Sequence, residues 1–410
     1  YFIYDTQLYY FSSLSTFFFV NFYNKLSLRV QMADIREDFQ QLLQNYPCSD
    51  FQADEKNYEN AIKKTEWILK HVPKKLYRFR PCSEYAIAAL ENDEIWGTVA
   101  SKQNDIMEYL PYFDWNKIYE DIESILNNID NFQSLLNAVK SDIPPLIIQK
   151  QLNQSDIENL KDNISKNIND DNAAVIMKQL YTILVNQIKQ NENEYLKLAL
   201  NQIFAIASRL FISCFSEEND SSYLWGNYAD NNTGFCIEYN MKNYLSKCPE
   251  KCDSPKKCSK FHSTLQLAPV IYSSRKPDAS SVLSNTIIEN ISKKIGKEPK
   301  QYLYQDNNIA NNLALYKSDK WVEKEWRLLA WNQTKQYKEY ECIHKTIQPT
   351  AIYLGPKISE ENQNKLIDIC KRKNIPCFKA FPDYFSAEYK YAFFDVNELY
   401  KNTVNNKEIT

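Results

Sequence analysis

The chain reads as an α/β protein: a mixed α+β sheet interrupted by a helical subdomain. Three observations predict this. A strand–helix–strand pattern opens near residues 75–99, residues 109–210 switch to helical spacing, and aromatic and β-branched strand character returns from Phe211 onward.

Taken in order, Leu8 to Tyr23 is an aromatic, serine-containing run of 16, followed by Lys25 and Arg29. A membrane span needs about 20 apolar residues, and a signal peptide carries its basic residues before the apolar stretch. Met32 starts an ordinary polar sequence, so residues 1–31 are expected to be a translated leader or disordered segment, with a helical segment over 32–74. Tyr58, Ile62, Thr65, Leu69 and Val72 keep helical spacing until Pro73. Lys75 to Arg80 reads as a strand, Ser83 as the cap of a short helix through Leu90, and Ile95 to Val99 as a second strand. Ile118 through Val139, Val175 through Ile188 and Tyr195 through Leu210 form amphipathic helices of the insertion. Strands are expected near 211–215, 234–239, 325–331 and 351–354. Helices are expected over about 281–295 and after Ser359, where Glu360 and Glu361 favour the first turn. The polar end, 391–410, reads as a tail.

Composition narrows the function. With 410 residues, 44% hydrophobic and 25% charged, the chain can build a substantial core. It has five glycines, the closest pair eight residues apart, so neither a dinucleotide fingerprint nor a phosphate-binding P-loop can be written. A nucleotide must then be held mainly by side chains. The net charge of −3 provides no global field for nucleic acid. Three histidines, without Gly-x-Ser-x-Gly or His-Glu-x-x-His, remove the serine hydrolase and zincin readings. Ten scattered cysteines fit a reducing, cytoplasmic setting.

Several segments stand together: Leu76 to Arg80; Asn104-Asp105-Ile106-Met107-Glu108; Cys214 to Glu217 with Leu224 to Asp230 and Gly234 to Ile237; Lys317 with Trp321, Glu323, Glu325, Trp326 and Arg327; and Ile352 to Gly355. In order and spacing this resembles the domain of unknown function catalogued as DUF 2971, over about residues 75–390. Ile106 departs from the proline usual there. The resemblance implies no activity, so the chemistry rests on residues.

Glu323 and Glu325 are two apart, so a strand would aim both at one face, where like charges repel unless a cation sits between them. Arg327 can be that cation, and a purely structural Glu–Arg ladder is an equal reading. An Arg on an early strand, a hydroxyl residue on the next and Glu-x-Glu on a later one also resembles the ADP-ribosyltransferase superfamily. That resemblance implies NAD as substrate, Arg78 on its phosphate with Tyr77 beside it, and Glu325 as the catalytic carboxylate with Glu323. Trp225 or Tyr228 would stack on the base, a core or rim position being the other reading of each aromatic. Independently of that resemblance, Asn104, Asp105 and Glu108 form a polar cluster after the second strand that reads either as ordinary turn chemistry or as the rim of a site. The second strand carries Thr98-Val99-Ala100-Ser101 where the superfamily has Ser-Thr-Ser.

Cys248-x3-Cys252-x5-Cys258-x3-His262 places three thiolates and an imidazole within fifteen residues, the ligand set of a closed structural zinc site. This completes the predicted architecture with a small zinc-stapled loop over 246–263, a disulfide or free thiols being the alternative. Lys247, Lys251, Lys256, Lys257 and Lys260 decorate it, with Phe261 as the one aromatic. Two functions are therefore expected: an enzyme cleaving the NAD glycosidic bond, or a non-catalytic recognition module touching nucleic acid through this loop. No membrane partner is expected.

Overall fold

A computed structural model describes residues 35–47, 54–126 apart from 104, 106 and 107, 182–246 apart from 183, 184 and 187, residue 252, and 254–294, 311–319, 323–332, 336–345 and 347–399. The segment expected to be a leader, the middle of the expected insertion and the residues from 400 lie outside them.

Each expected strand forms. β1 is Leu76–Arg80, β2 Glu94–Val99, β3 Leu210–Ser216, β4 Phe235–Tyr239, β5 Leu267–Pro269, β6 Ile271–Ser273, β7 Tyr316–Ser318, β8 Glu325–Trp331, β9 Tyr340–Lys345, β10 Pro349–Leu354, β11 Cys377–Pro382 and β12 Tyr391–Asp395. The main sheet has ten strands in the order β12-β11-β10-β4-β1-β3-β2-β9, with β8 added on β3 and β5 on β8; β6 and β7 pair separately. Within the main sheet β10 and β11 run parallel and the other pairs antiparallel. β12 occupies part of what the sequence suggested was tail.

The helices begin where their caps predict. Ser83 Oγ accepts from Ala86 N at the head of Glu84–Glu91, and Ser359 Oγ accepts from Asn362 N at the head of Glu360–Lys373. That last helix ends at Asn374, whose φ of 53° supplies the left-handed turn. The main core lies on one side of the sheet and includes Leu76, Phe235, Ile237, Ile352, Leu354 and Leu366. A smaller aromatic core on the other side holds Phe79, Trp225, Cys236, Tyr353 and Ala380. Period-two alternation along β1 and β4 splits these residues between the two layers.

Of the insertion, Trp115–Leu126 and Glu192–Ala207 are described as helices. Ile118, Ile122, Ile188 and Ala199 pack with Leu283 and Ile287 of the later helix Ser280–Lys294. The inserted helices thus share a third core with a segment more than 70 residues downstream.

One topological feature positions the site. A strand has two hydrogen-bonding edges, and β8 takes one edge of β3 over all seven residues. β1 and β2 share the other. β2 pairs with Phe211 and Ile212 at one end, and β1 meets β3 at the single position Tyr77↔Ser216 at the other. Between these contacts the sheet forks, and the fork opens as a cleft.

Candidate functional site

The cleft has a volume of about 530 Å³, a common size for small-molecule sites. One wall is β1 from Tyr77 to Arg80 and the floor is β3 from Ile212 to Ser216. The far wall carries Glu108, Tyr228, Lys317, Glu323, Glu325 and Arg327. Residues of β1 and of the acid cluster therefore line one cavity, although strand register points them to opposite faces of the sheet: Arg78 lies across from Ile237, whereas Tyr77 lies across from Ser216 and Ser216 across from Glu325.

The far wall is a closed ionic cluster. Lys317 Nζ lies 3.2 Å from Glu108 Oε1, 3.0 Å from Glu323 Oε2 and 3.4 Å from Glu325 Oε2. Arg327 donates from Nε to Glu325 Oε1 at 2.8 Å, from Nη2 to Glu108 Oε2 at 2.8 Å and from Nη1 to the Ala314 carbonyl at 2.7 Å. Tyr228 donates its hydroxyl to Glu323 Oε1 at 3.0 Å. Burial would raise the Glu325 pKa, but the charges of Arg327 and Lys317 outweigh it and hold the carboxyl near 2, so it is ionised at neutral pH. Burial works to lower the Lys317 pKa; Glu325, Glu108 and Glu323 reverse that and push it up. Three carboxylates against two cations leave this wall one negative charge in excess.

The geometry of the acid pair corrects one expectation. Glu323 and Glu325 do not project from a common strand, because β8 begins at Glu325 and Lys324 takes a left-handed backbone with φ 48°. Glu323 instead stands in a turn before the strand. The Tyr272 hydroxyl accepts from the backbone N–H of both Glu323 and Glu325, at 3.1 and 3.0 Å, and Ser216 Oγ donates to the Glu323 carbonyl. These bonds offset the roughly 1–3 kcal/mol that a left-handed non-glycine residue costs. The two carboxylates still converge, on Lys317 rather than across a pleat. Arg36 of the helix over 35–45 braces the same turn by donating to the Val270 and Glu325 carbonyls and to Glu217.

The opposite wall is built differently. Arg78 is buried and donates from Nη2 to the Trp96 carbonyl, bridging β1 to β2 across the fork. Burial and, after it, the neighbouring Arg80 charge lower its pKa to about 10; burial also lowers that of Arg80. At neutral pH both remain cations. The end of β1 is fixed by Gly234, where a Cβ would lie 2.2 Å from the Arg80 carbonyl, so only glycine permits this approach.

Tyr77, Tyr228 and Asp105 line the cleft; Asn104 lies outside the described residues. Trp225 is corrected. It is fully buried and does not line the cleft; its Nε1 donates to the Asn219 carbonyl, and its ring packs edge-on against Phe79 and Tyr391. A hydrophobic position on a helix laid across the sheet buries its ring in the aromatic core. Tyr223 of that same helix, not singled out from the sequence, lines the cleft instead.

The cysteine loop is described only in part. Residues Ser259–Gln266 form a helix, Phe261 packs on Tyr58, and Lys256 sits over the Tyr58 ring and 3.5 Å from Glu55. Packing on the helix Glu55–His71 orders this stretch. His262 Nε2 lies 2.9 Å from the Lys256 carbonyl. Cys248 lies outside the described residues, and among those described no group of three or more His, Cys, Asp or Glu side chains is placed to hold a metal ion, Cys252, Cys258 and His262 included. Lys260 sits 3.2 Å over the Tyr244 ring, so it and Lys256 are engaged within the protein. No helix among the described residues is long and apolar enough to cross a membrane.

Sequence reasoning passed over Arg80, Ser213 and the bridging role of Lys317. Arg80 was findable, two residues from Arg78 on one strand face. Ser213 was detectable only as a lone hydroxyl in an apolar strand. The meeting of Lys317 with Glu108 leaves no sequence signal, being a contact over 209 positions.

Comparison with known families agrees with the resemblance and narrows its extent: residues 224–328 match the family model described as protein of unknown function (DUF2971). The match carries Tyr228, Lys317, Glu323, Glu325 and Arg327, and stops short of β1. No curated protein and no solved structure matches the chain.

Proposed function

We propose that the fork cleft binds a phosphorylated nucleotide whose other end is cationic, and that the chain is an ADP-ribosyltransferase-like enzyme cleaving the glycosidic bond of NAD. The observation that carries this reading is the polarity of one cavity. Arg78 and Arg80 stand on one wall, and the net-negative cluster of Glu108, Glu323 and Glu325 with Lys317 and Arg327 stands on the other.

NAD has matching polarity: a diphosphate at its centre and a positively charged nicotinamide ring. As the bond from ribose C1 to the ring nitrogen breaks, its electron pair neutralises the ring and positive charge passes to the ribose carbon. Glu325 suits that step because it is held ionised and oriented by two cations; a carboxylate fixed before the reaction stabilises developing charge without reorganising. Water or another acceptor then attacks the carbon and loses a proton. Arg78 would bind phosphate, and Tyr77, Tyr223 and Tyr228 offer ring faces or edges along the cleft.

The test is nicotinamide release from NAD, followed by chromatography, with the full chain. Release by the wild type and a loss of about a hundredfold or more in folded Glu325→Gln is the expected result. No release, or release unaffected in both Glu325→Gln and Arg78→Met, removes the reading.

A further inference from the structure

We infer that Arg78, Arg80 and Ser213 together form a diphosphate subsite at the closed end of the fork, with Arg80 and Ser213 as binding residues in their own right. The inference rests on the cleft being an anion site, and not on glycosidic chemistry.

Three polar side chains with unfilled hydrogen-bonding capacity carry it. A buried arginine ordinarily finds a carboxylate, as Arg327 finds two. Arg78 has one hydrogen bond among the described residues, to a neutral carbonyl, leaving four of the five guanidinium N–H donors to fill. The Arg80 side chain has no hydrogen-bond or ion-pair partner among the described residues although it is partly buried in the cavity wall. Ser213 Oγ, on a residue only 2% exposed, has no hydrogen-bond partner and lines the same cavity. Native proteins leave few buried polar atoms unpaired; among the described residues these are Ser213 Oγ and the Tyr109 hydroxyl, and Ser213 lines the cavity together with two arginines that have donors to spare.

The spacing narrows the ligand. Arg78 and Arg80 are two residues apart on an extended strand, about 6.5–7 Å along the chain and on one face. Two planar forks at that separation can each take one phosphoryl group of a diphosphate, and a serine hydroxyl can donate to an oxygen between them. A single carboxylate would satisfy one fork only. Two adjacent cations also repel each other when the cavity holds only solvent, so a ligand with at least two negative charges relieves a cost that the bare fold carries.

The experiment is calorimetric titration and thermal unfolding of the full chain with pyrophosphate, inorganic phosphate, ADP-ribose and sulfate at matched ionic strength. Pyrophosphate and ADP-ribose are expected to bind and raise the melting temperature, with inorganic phosphate weaker and sulfate weakest. Arg80→Met should weaken pyrophosphate more than about tenfold, while its ligand-free melting temperature stays at or above that of the wild type, because an unpaired cation has been removed. Ser213→Ala should weaken pyrophosphate several-fold with unchanged ligand-free stability. ADP-ribose binding without pyrophosphate binding, no binding of either, or pyrophosphate affinity unchanged in Arg80→Met would overturn the subsite. So would a ligand-free Arg80→Met destabilised with affinity intact. If pyrophosphate binds as described and NAD is not cleaved, the glycosidic reading falls and the subsite stands.

Discussion

The two walls of the cleft use the same kind of residue to opposite ends. On one, Lys317 and Arg327 are buried cations whose donors meet Glu108, Glu323, Glu325 and the Ala314 carbonyl, and the set closes on itself. On the other, Arg78 is a buried and Arg80 a partly buried cation, and no described carboxylate meets either. The difference teaches that burial of charge alone does not mark a binding site. A satisfied cluster holds its carboxylates ionised and fixed in place, whereas cations left unsatisfied are poised for something the fold does not itself contain.

The sharpest way to break this contrast is to remove one cation from each wall. Arg327→Met leaves Glu325 and Glu108 buried with half their partners gone, and should cost about 3–5 kcal/mol in urea unfolding. Arg78→Met should cost less than about 1.5 kcal/mol, since one hydrogen bond to a carbonyl is lost and a desolvated charge is relieved. Equal losses would mean that the walls are alike. Next in size, Tyr272→Phe leaves the Glu323 and Glu325 N–H groups without their acceptor and frees the left-handed turn, at about 2 kcal/mol by the same measurement. Gly234→Ala forces the Arg80 carbonyl aside and should cost about 1–3 kcal/mol, with pyrophosphate affinity falling as the end of β1 shifts.

The most diagnostic effect is in acid. Glu325 ionises near 2 in the fold against an ordinary 4.5, so the unfolded chain binds the extra proton between those values. The stability it contributes is complete above about pH 4.5 and is lost as pH falls toward 2. In Glu325→Gln that portion of the slope of stability against pH, measured by chemical unfolding from pH 5 down to 2, should disappear; an unchanged slope would show that the cluster does not hold this carboxylate ionised.

Most of the fold was legible one segment at a time. The serine caps at Ser83 and Ser359, the periodicity of Tyr58 to Val72 and the apolar run of Ala351 to Leu354 each depend on neighbours within a few positions, and local sterics and hydrogen bonding dictate them. The acids at 323 and 325, the arginine at 78 and the arginine at 327 were visible for the same reason, as residue types at a short spacing. The strand assumed for Glu323 was misread because a single left-handed residue, Lys324, interrupts it, and lysine carries no propensity for that conformation. Trp225 was misread because a core ring and a stacking ring look alike until the sheet behind it is known.

By itself, then, the order of residues determined which stretches become strands and helices and which charges were available. Tertiary structure alone decided that β1 and β2 share one edge of β3, and thereby that Arg78 lines a cavity also lined by Glu325. The reason is range: pairing of β1 with β3 joins positions 139 residues apart. Whether a buried cation finds its carboxylate depends on which distant backbone arrives beside it, and no local propensity encodes that meeting.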